Sequence, residues 1–148
     1  MTPEVADLRA TLDRLRAGVL KKVAGLSDED ARRSTVDSGT NLAGLVQHLT
    51  FVESLWFEEI VAGRTTRGDR SMRVDPSVPL RTIRADYRAA CAASNEIIAA
   101  VADADAPVTR NGKTHTLRSV LLAVIEENAR HAGHADIIRE QIDGRTGR

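Results

Sequence analysis

Leu8, Leu12, Leu15, Val19 and Val23 recur at steps of three or four residues, behind a Pro3 suited to an opening helical turn. The spacing predicts one amphipathic helix over about residues 3–24. Ser27 stands three residues ahead of Asp30 in "GLSDEDARRS", a helix-start pattern that predicts one brief turn ending near "DSGT". A second long pattern, about 41–62, carries Leu42, Leu45, Leu49, Val52, Leu55 and Trp56 and stops at Gly63. Residues 63–79, "GRTTRGDRSMRVDPSVP", hold two Gly, two Pro and several charges without an apolar period. They predict a surface loop, long enough for a crossover or a lid.

A third long pattern, about 79–103, includes Leu80, Ile83, Tyr87, Cys91, Ile97, Ile98 and Val101, with alanines that allow close packing. Pro107 and the dipeptide Asn111-Gly112 then predict a loop or small hairpin, and the last helix is expected over about 116–142, stopped by Gly144. Four long helices and almost no sheet signal predict an all-α protein, a four-helix bundle with a long loop between its second and third helices. There is no internal repeat and no low-complexity segment. Bundles of this kind commonly build metal sites on facing inner helix surfaces.

Chemistry enters where the last helix breaks its own pattern. Positions 117, 120, 124, 127, 131, 134 and 138 step by three and four and read Leu, Val, Val, Glu, His, His, Ile. A stripe that starts as hydrocarbon thus becomes a carboxylate and two imidazoles. An unpaired buried carboxylate costs several kcal/mol or shifts its pKa until it is neutral, so something must compensate it. Glu127 and His131, one turn apart, can both reach one divalent cation. His48, on the line Leu45, His48, Val52, Leu55, supplies a third donor from the second helix. Two His and one carboxylate leave coordination positions open for water and substrate.

Plainer readings compete with this one. A single His on an apolar face is more often a satisfied core histidine, and Glu127 with His131 is by default a helical ion pair. The combination weighs more, because three of the four histidines and a glutamate interrupt two apolar stripes. Spacing leaves His134 open between a fourth ligand, a partner of the ligands and a general base. His115, beside Lys113, reads as solvated surface. Cys91 reads as a small packed apolar residue, and Trp56 and Phe57 as core or pocket wall.

Composition narrows the setting. At 148 residues the chain is expected to form a single domain over 1–148, able to bury a self-sufficient core. Lys plus Arg and Asp plus Glu both number 21, so no long-range field draws in polyanions, which argues against a nucleic-acid partner. The start, "MTPEVADLRA", lacks a signal pattern, and the longest apolar run, "SVLLAVI", is too short to span a bilayer. The expectation is a soluble, cytoplasmic protein without a membrane partner. One cysteine permits no internal disulfide and no zinc-finger spacing, so any metal is held by His and carboxylates.

These residues carry a resemblance. "TNLAGLVQHLTFVESLWF", followed about eighty residues on by "EENARHAGHADIIREQIDG", resembles the DinB-like (YfiT-like) superfamily of metal-binding four-helix bundles. It is most similar to the actinobacterial branch with mycothiol-dependent maleylpyruvate isomerase and mycothiol S-transferases. Many superfamily members have HxxxH on the last helix; this chain has ExxxH at Glu127 and His131, as that isomerase does. The resemblance implies His48, Glu127 and His131 as metal ligands, with zinc the leading ion and nickel, manganese or iron the alternatives. It implies an enzyme, a thiol transferase or thiol-dependent isomerase using mycothiol as co-substrate, and a homodimer. On that reading His134 is a catalytic proton carrier, and Arg130 or Arg139 anchors anionic groups. The competing readings are a non-catalytic metal-binding bundle, acting as ligand binder or structural dimer, and a metal-dependent hydrolase.

Overall fold

A computed structural model describes residues 1–147. Helix α1 (Pro3–Val23) opens with Thr2, whose hydroxyl accepts from the Val5 amide at 3.3 Å. The short α2 (Asp28–Arg32) is capped by Ser27 Oγ, which accepts from the Asp30 amide at 3.1 Å. Helix α3 starts under Asn41 and is α-helical over Leu42–Glu53, then continues as a π-helix over Ser54–Val61. Helix α4 spans Leu80–Ala100, and strands β1 (Val108–Arg110) and β2 (Lys113–His115) form the hairpin. Asn111 and Gly112 turn it with φ of 50° and 74°, the left-handed pair that such a two-residue turn demands. Helix α5 (Leu117–Asp143) begins with a reciprocal Thr116–Ser119 capping box and ends at Gly144, φ 78°. Among the described residues, no helix is long and apolar enough to cross a membrane.

The directions of the helices follow from who meets whom. Arg118 pairs with Glu4 near the two N-termini and Lys22 with Asp136 near the other ends, so α1 and α5 run parallel. Leu42 and Leu80, at the starts of α3 and α4, share one core cluster with Val23 at the end of α1, while Val5 at its start shares the other with Phe57 and Ile98 near their ends, so both run opposite to it. The bundle is therefore up-down-down-up, and the long loop is the crossover that returns the chain from the end of α3 to the start of α4. That loop is less solvated than its charges suggest. Met72, Val74 and Val78 rest on the core, and Gln47 Nε2 donates to the carbonyls of Ser71 and Arg73, at 3.3 and 2.8 Å.

The close approach of the loop requires Gly44. A Cβ there would lie 2.3 Å from the Met72 carbonyl oxygen, with backbone on both sides and no flexible tip to yield. Gly44→Ala, which would add roughly 1 kcal/mol of helix propensity in free space, is therefore expected to destabilise by about 1–3 kcal/mol. Urea unfolding checks this, and a more stable variant would show that the loop does not bear on α3.

The core comes in two halves. One gathers Val19, Leu42, Leu45, Leu49, Ile83 and Ile138; the other Leu12, Val52, Phe57, Ile97, Leu121 and Val124. Between them lies a belt of buried polar side chains with members from every long helix: Arg16, Glu53, Ser94, Asn128 and His131. Arg16 grips Glu53 bidentately, Nε to Oε1 at 2.8 Å and Nη2 to Oε2 at 2.6 Å, while its Nη1 donates to Asp13 and Asn95. Burial alone would lower the Arg16 pKa, but the bonds and charge of Glu53 outweigh it and leave it above the ordinary value. Tyr87 donates to Asn128 Oδ1 at 2.8 Å, its phenol pushed upward by burial.

Candidate metal centre

The belt opens to one side where α3 faces α5. His48 occupies the α3 stripe one position before Leu49, and its Nε2 lies 3.4 Å from Glu127 Oε2. His131, one turn beyond Glu127, brings its own Nε2 to 3.3 Å from the same oxygen. One ligand atom from each of the three residues lies within 4.8 Å of the other two. Ligand atoms about 2.1 Å from a tetrahedral zinc ion stand roughly 3.4 Å apart, so both edges to Glu127 have the required spacing. The donors are also of the right kind: two imidazole nitrogens and one carboxylate, borderline ligands for a divalent transition ion.

The surroundings prepare these groups unequally. His131 is buried, and burial followed by the neighbouring His48 pulls its pKa below the ordinary value, against the opposing carboxylate. It is therefore neutral at pH 7 and keeps a lone pair for a metal. Its other nitrogen, Nδ1, is 3.2 Å from His134 Nδ1, so the two rings share a proton there and the His131 Nε2 stays turned toward Glu127. Among the described residues the His48 Nδ1 has no such partner: it is buried without a hydrogen bond, and the ring is set by its Nε2 contact with Glu127 and by packing edge-on to His131 at 4.8 Å between centroids. Arg130 Nη1 contacts Glu127 Oε1 at 3.3 Å, leaving Oε2 for the histidines. The Glu127 side chain retains 25% exposure against 8% for His131, so the centre is reached from the carboxylate side.

Several expectations need correcting. His134 does not continue the inward stripe but is exposed, and the buried line instead runs through Asn128, His131 and Ala135. From His131 a step of three and a step of four differ by one residue's rotation, and the packing of α1 selects the second. Arg139 is not an anion anchor. It is buried, donating to the carbonyls of Lys22 and Ala24 at 3.0 and 2.8 Å and pairing with Asp143, where it ties the end of α1 to α5. His115 is not solvated surface: it is half-buried, edge-on to Trp56 at 5.4 Å. Cys91 behaves as read, its thiol pushed up to about 12 by burial first and the Glu53 charge second. Arg16, Glu53 and Asn128 are not legible in the sequence, because their only signal is occupation of stripe positions that polar residues also fill on solvated faces.

A mostly apolar cavity of about 340 Å³ opens on the far side of His134, lined by Val36, Ser38, Thr40, Ile137 and Ile138. The three donor residues do not line it, so His134 stands between this cavity and the centre.

Comparison with known proteins adds a family. A family model described as mycothiol S-transferase matches residues 7–144. The fold is similar to that in the crystal structure of a conserved protein from Enterococcus faecalis, with a TM-score of 0.73 over 98% of this chain and 100% of that one. At 14% identity that likeness extends to fold only. No curated protein matches the chain.

Proposed function

Because the chain belongs to the mycothiol S-transferase family, we propose that it is a cytoplasmic, metal-dependent transferase joining the sulfur of mycothiol to a small electrophile. The observation that carries this reading is the meeting of His48 Nε2, Glu127 Oε2 and His131 Nε2 in a chain of that family. These three residues would hold a divalent cation, zinc first and nickel, manganese or iron next. Held there, such a cation would lower the pKa of a thiol beside it, so that thiolate, the nucleophilic form, would prevail at neutral pH.

The chain's own groups do the rest. The Glu127 carboxylate would offset one of the cation's two charges, which neutral imidazoles cannot do, and Arg130 keeps the second carboxylate oxygen engaged. His131 is held by His134, and the exposed His134 can pass the proton lost from the thiol on to solvent. Sulfur then bonds to the electrophilic carbon, whose leaving group or displaced electron pair takes up a proton from water. The same partial exposure of Glu127 supports an open catalytic site over a closed structural one. We further read the protein as a homodimer. Val36 and Ile137, large apolar side chains left 40% and 59% exposed, are the surface that supports this, and sedimentation velocity checks it.

The test is thiol dependence. Protein loaded in turn with zinc, nickel, manganese and iron(II) is given mycothiol and a panel of epoxides, alkyl halides and unsaturated ketones, and thiol loss is followed. Turnover at least 100-fold above the metal-free protein, and only with thiol present, is expected. Turnover of esters or amides without thiol would make the protein a hydrolase, and inertness across the panel would favour the non-catalytic bundle.

A further inference from the structure

We propose that the cavity between the π-helical end of α3 and the β1–β2 hairpin is a second ligand site, one that takes a small carboxylate carried on a flat, apolar body. The cavity measures about 230 Å³ and is lined by Leu55, Trp56, Ile60, Arg110, Lys113 and His115. It is smaller than the roughly 300–1,000 Å³ of pockets that take drug-sized ligands, which suits a single ring and its substituents.

Strand alternation builds one side of it. The register pairs Val108 with His115 and Arg110 with Lys113, so Arg110, Lys113 and His115 share one face of the hairpin. Thr109 and Thr114 take the other face and bond to each other at 3.0 Å. Two cations placed opposite each other in an antiparallel pair repel. No direct ion pair offsets them: among the described residues neither Arg110 nor Lys113 has a carboxylate within 4.0 Å, Glu59 lining only the adjoining cavity, and the Arg110 side-chain bond goes to the Thr109 carbonyl beside it. An anion in the cavity would remove that repulsion with charge-assisted hydrogen bonds, the guanidinium offering a planar fork that matches a carboxylate.

The helix builds the other side. Leu55 and Ile60 form an apolar floor, and the Trp56 indole meets the His115 ring at 86°, giving a corner in which a flat ring stacks on one wall and meets the edge of the other. The segment carrying Leu55, Trp56 and Ile60 is the π-helix, a widened form that recurs at functional sites. Gly63 (φ 68°) completes the frame, since a Cβ there would lie 2.4 Å from the Arg110 guanidinium. The site is separate from the metal centre and does not rest on the function proposed for it. Trp56 lies eight residues beyond His48, and His115 twelve before Glu127, on the order of 12 Å or more of helix.

Trp56 is the chain's only tryptophan, so its indole N–H cross-peak in a ¹⁵N-labelled sample reports on this cavity alone. Benzoate, benzamide and inorganic phosphate are titrated into the purified protein. Benzoate is expected to shift that peak saturably, with the neutral isostere benzamide and the ring-free phosphate each about ten-fold weaker or more. Arg110→Ala with Lys113→Ala should weaken benzoate by a similar factor with the melting temperature unchanged, and His48→Ala should leave the titration as it was. No saturable shift with benzoate at tens of millimolar would overturn the proposal. Benzamide or phosphate binding as tightly as benzoate, indifference to the loss of both cations, or loss of binding in His48→Ala would overturn it equally.

Discussion

Alanine in place of Glu53 is expected to destabilise the protein by about 3–5 kcal/mol, because it strands the Arg16 guanidinium inside the bundle. The Arg16 and Glu53 side chains are 4% and 0% exposed, so water cannot take over the role of either partner. For a chain of this size each kcal/mol moves the melting temperature by about 2–4 °C, so the midpoint should fall by about 6–20 °C. The pair itself is not the reason the bundle is stable, since desolvating two charges offsets most of their attraction. Replacing both residues at once, Arg16→Met with Glu53→Leu, should therefore be far milder than either single loss, and is expected to lie between neutral and about 4 kcal/mol stabilising. Thermal melts of the singles and the double form the cycle that checks it. Single variants costing under about 1 kcal/mol would mean that water reaches the belt and the pair is screened.

The second large effect concerns metal affinity and can be read without any substrate. If His48, Glu127 and His131 hold the ion, Glu127→Ala is expected to weaken binding at least 100-fold and to bring a protein with about one metal per chain to near zero. The two histidine variants should do the same. His134→Ala, which removes only the partner of His131 Nδ1, should cost about 10–100-fold. A ligand present at 100 times its dissociation constant stabilises the folded state by about 2.7 kcal/mol. Zinc should accordingly raise the wild-type melting temperature by about 5–11 °C and that of Glu127→Ala by no more than about 1–2 °C. Elemental analysis alongside the melts decides the matter. Full metal content in Glu127→Ala would remove the carboxylate from the ligand set.

Both predictions depend on the polar belt, and the two were not equally visible beforehand. His48, Glu127 and His131 stood out because each interrupts a run of aliphatic side chains at helical spacing, and because Glu127 and His131 are a local pair whose proximity the helix itself guarantees. Arg16 did not stand out, since arginine next to Leu15 on an amphipathic helix is what a solvated flank looks like. Only the approach of Glu53, 37 residues on, turns it inward.

What the amino-acid order determined by itself is therefore what depends on neighbours within a few residues. That covers the helical periods, the caps at Ser27 and the stop at Gly144, the Asn111-Gly112 turn, and the one-turn spacing of Glu127 and His131. The tertiary structure decided what depends on which surfaces meet. It ran α1 parallel to α5 and α3 parallel to α4, so that a donor from each of two helices converges. It chose Ala135 over His134 for the buried line, because steps of three and four are equally helical and only a packed neighbour breaks the tie. It also brought His115 against Trp56, 59 positions apart, and turned the end of α3 into a π-helix, whose altered hydrogen-bond register leaves no trace in the apolar pattern.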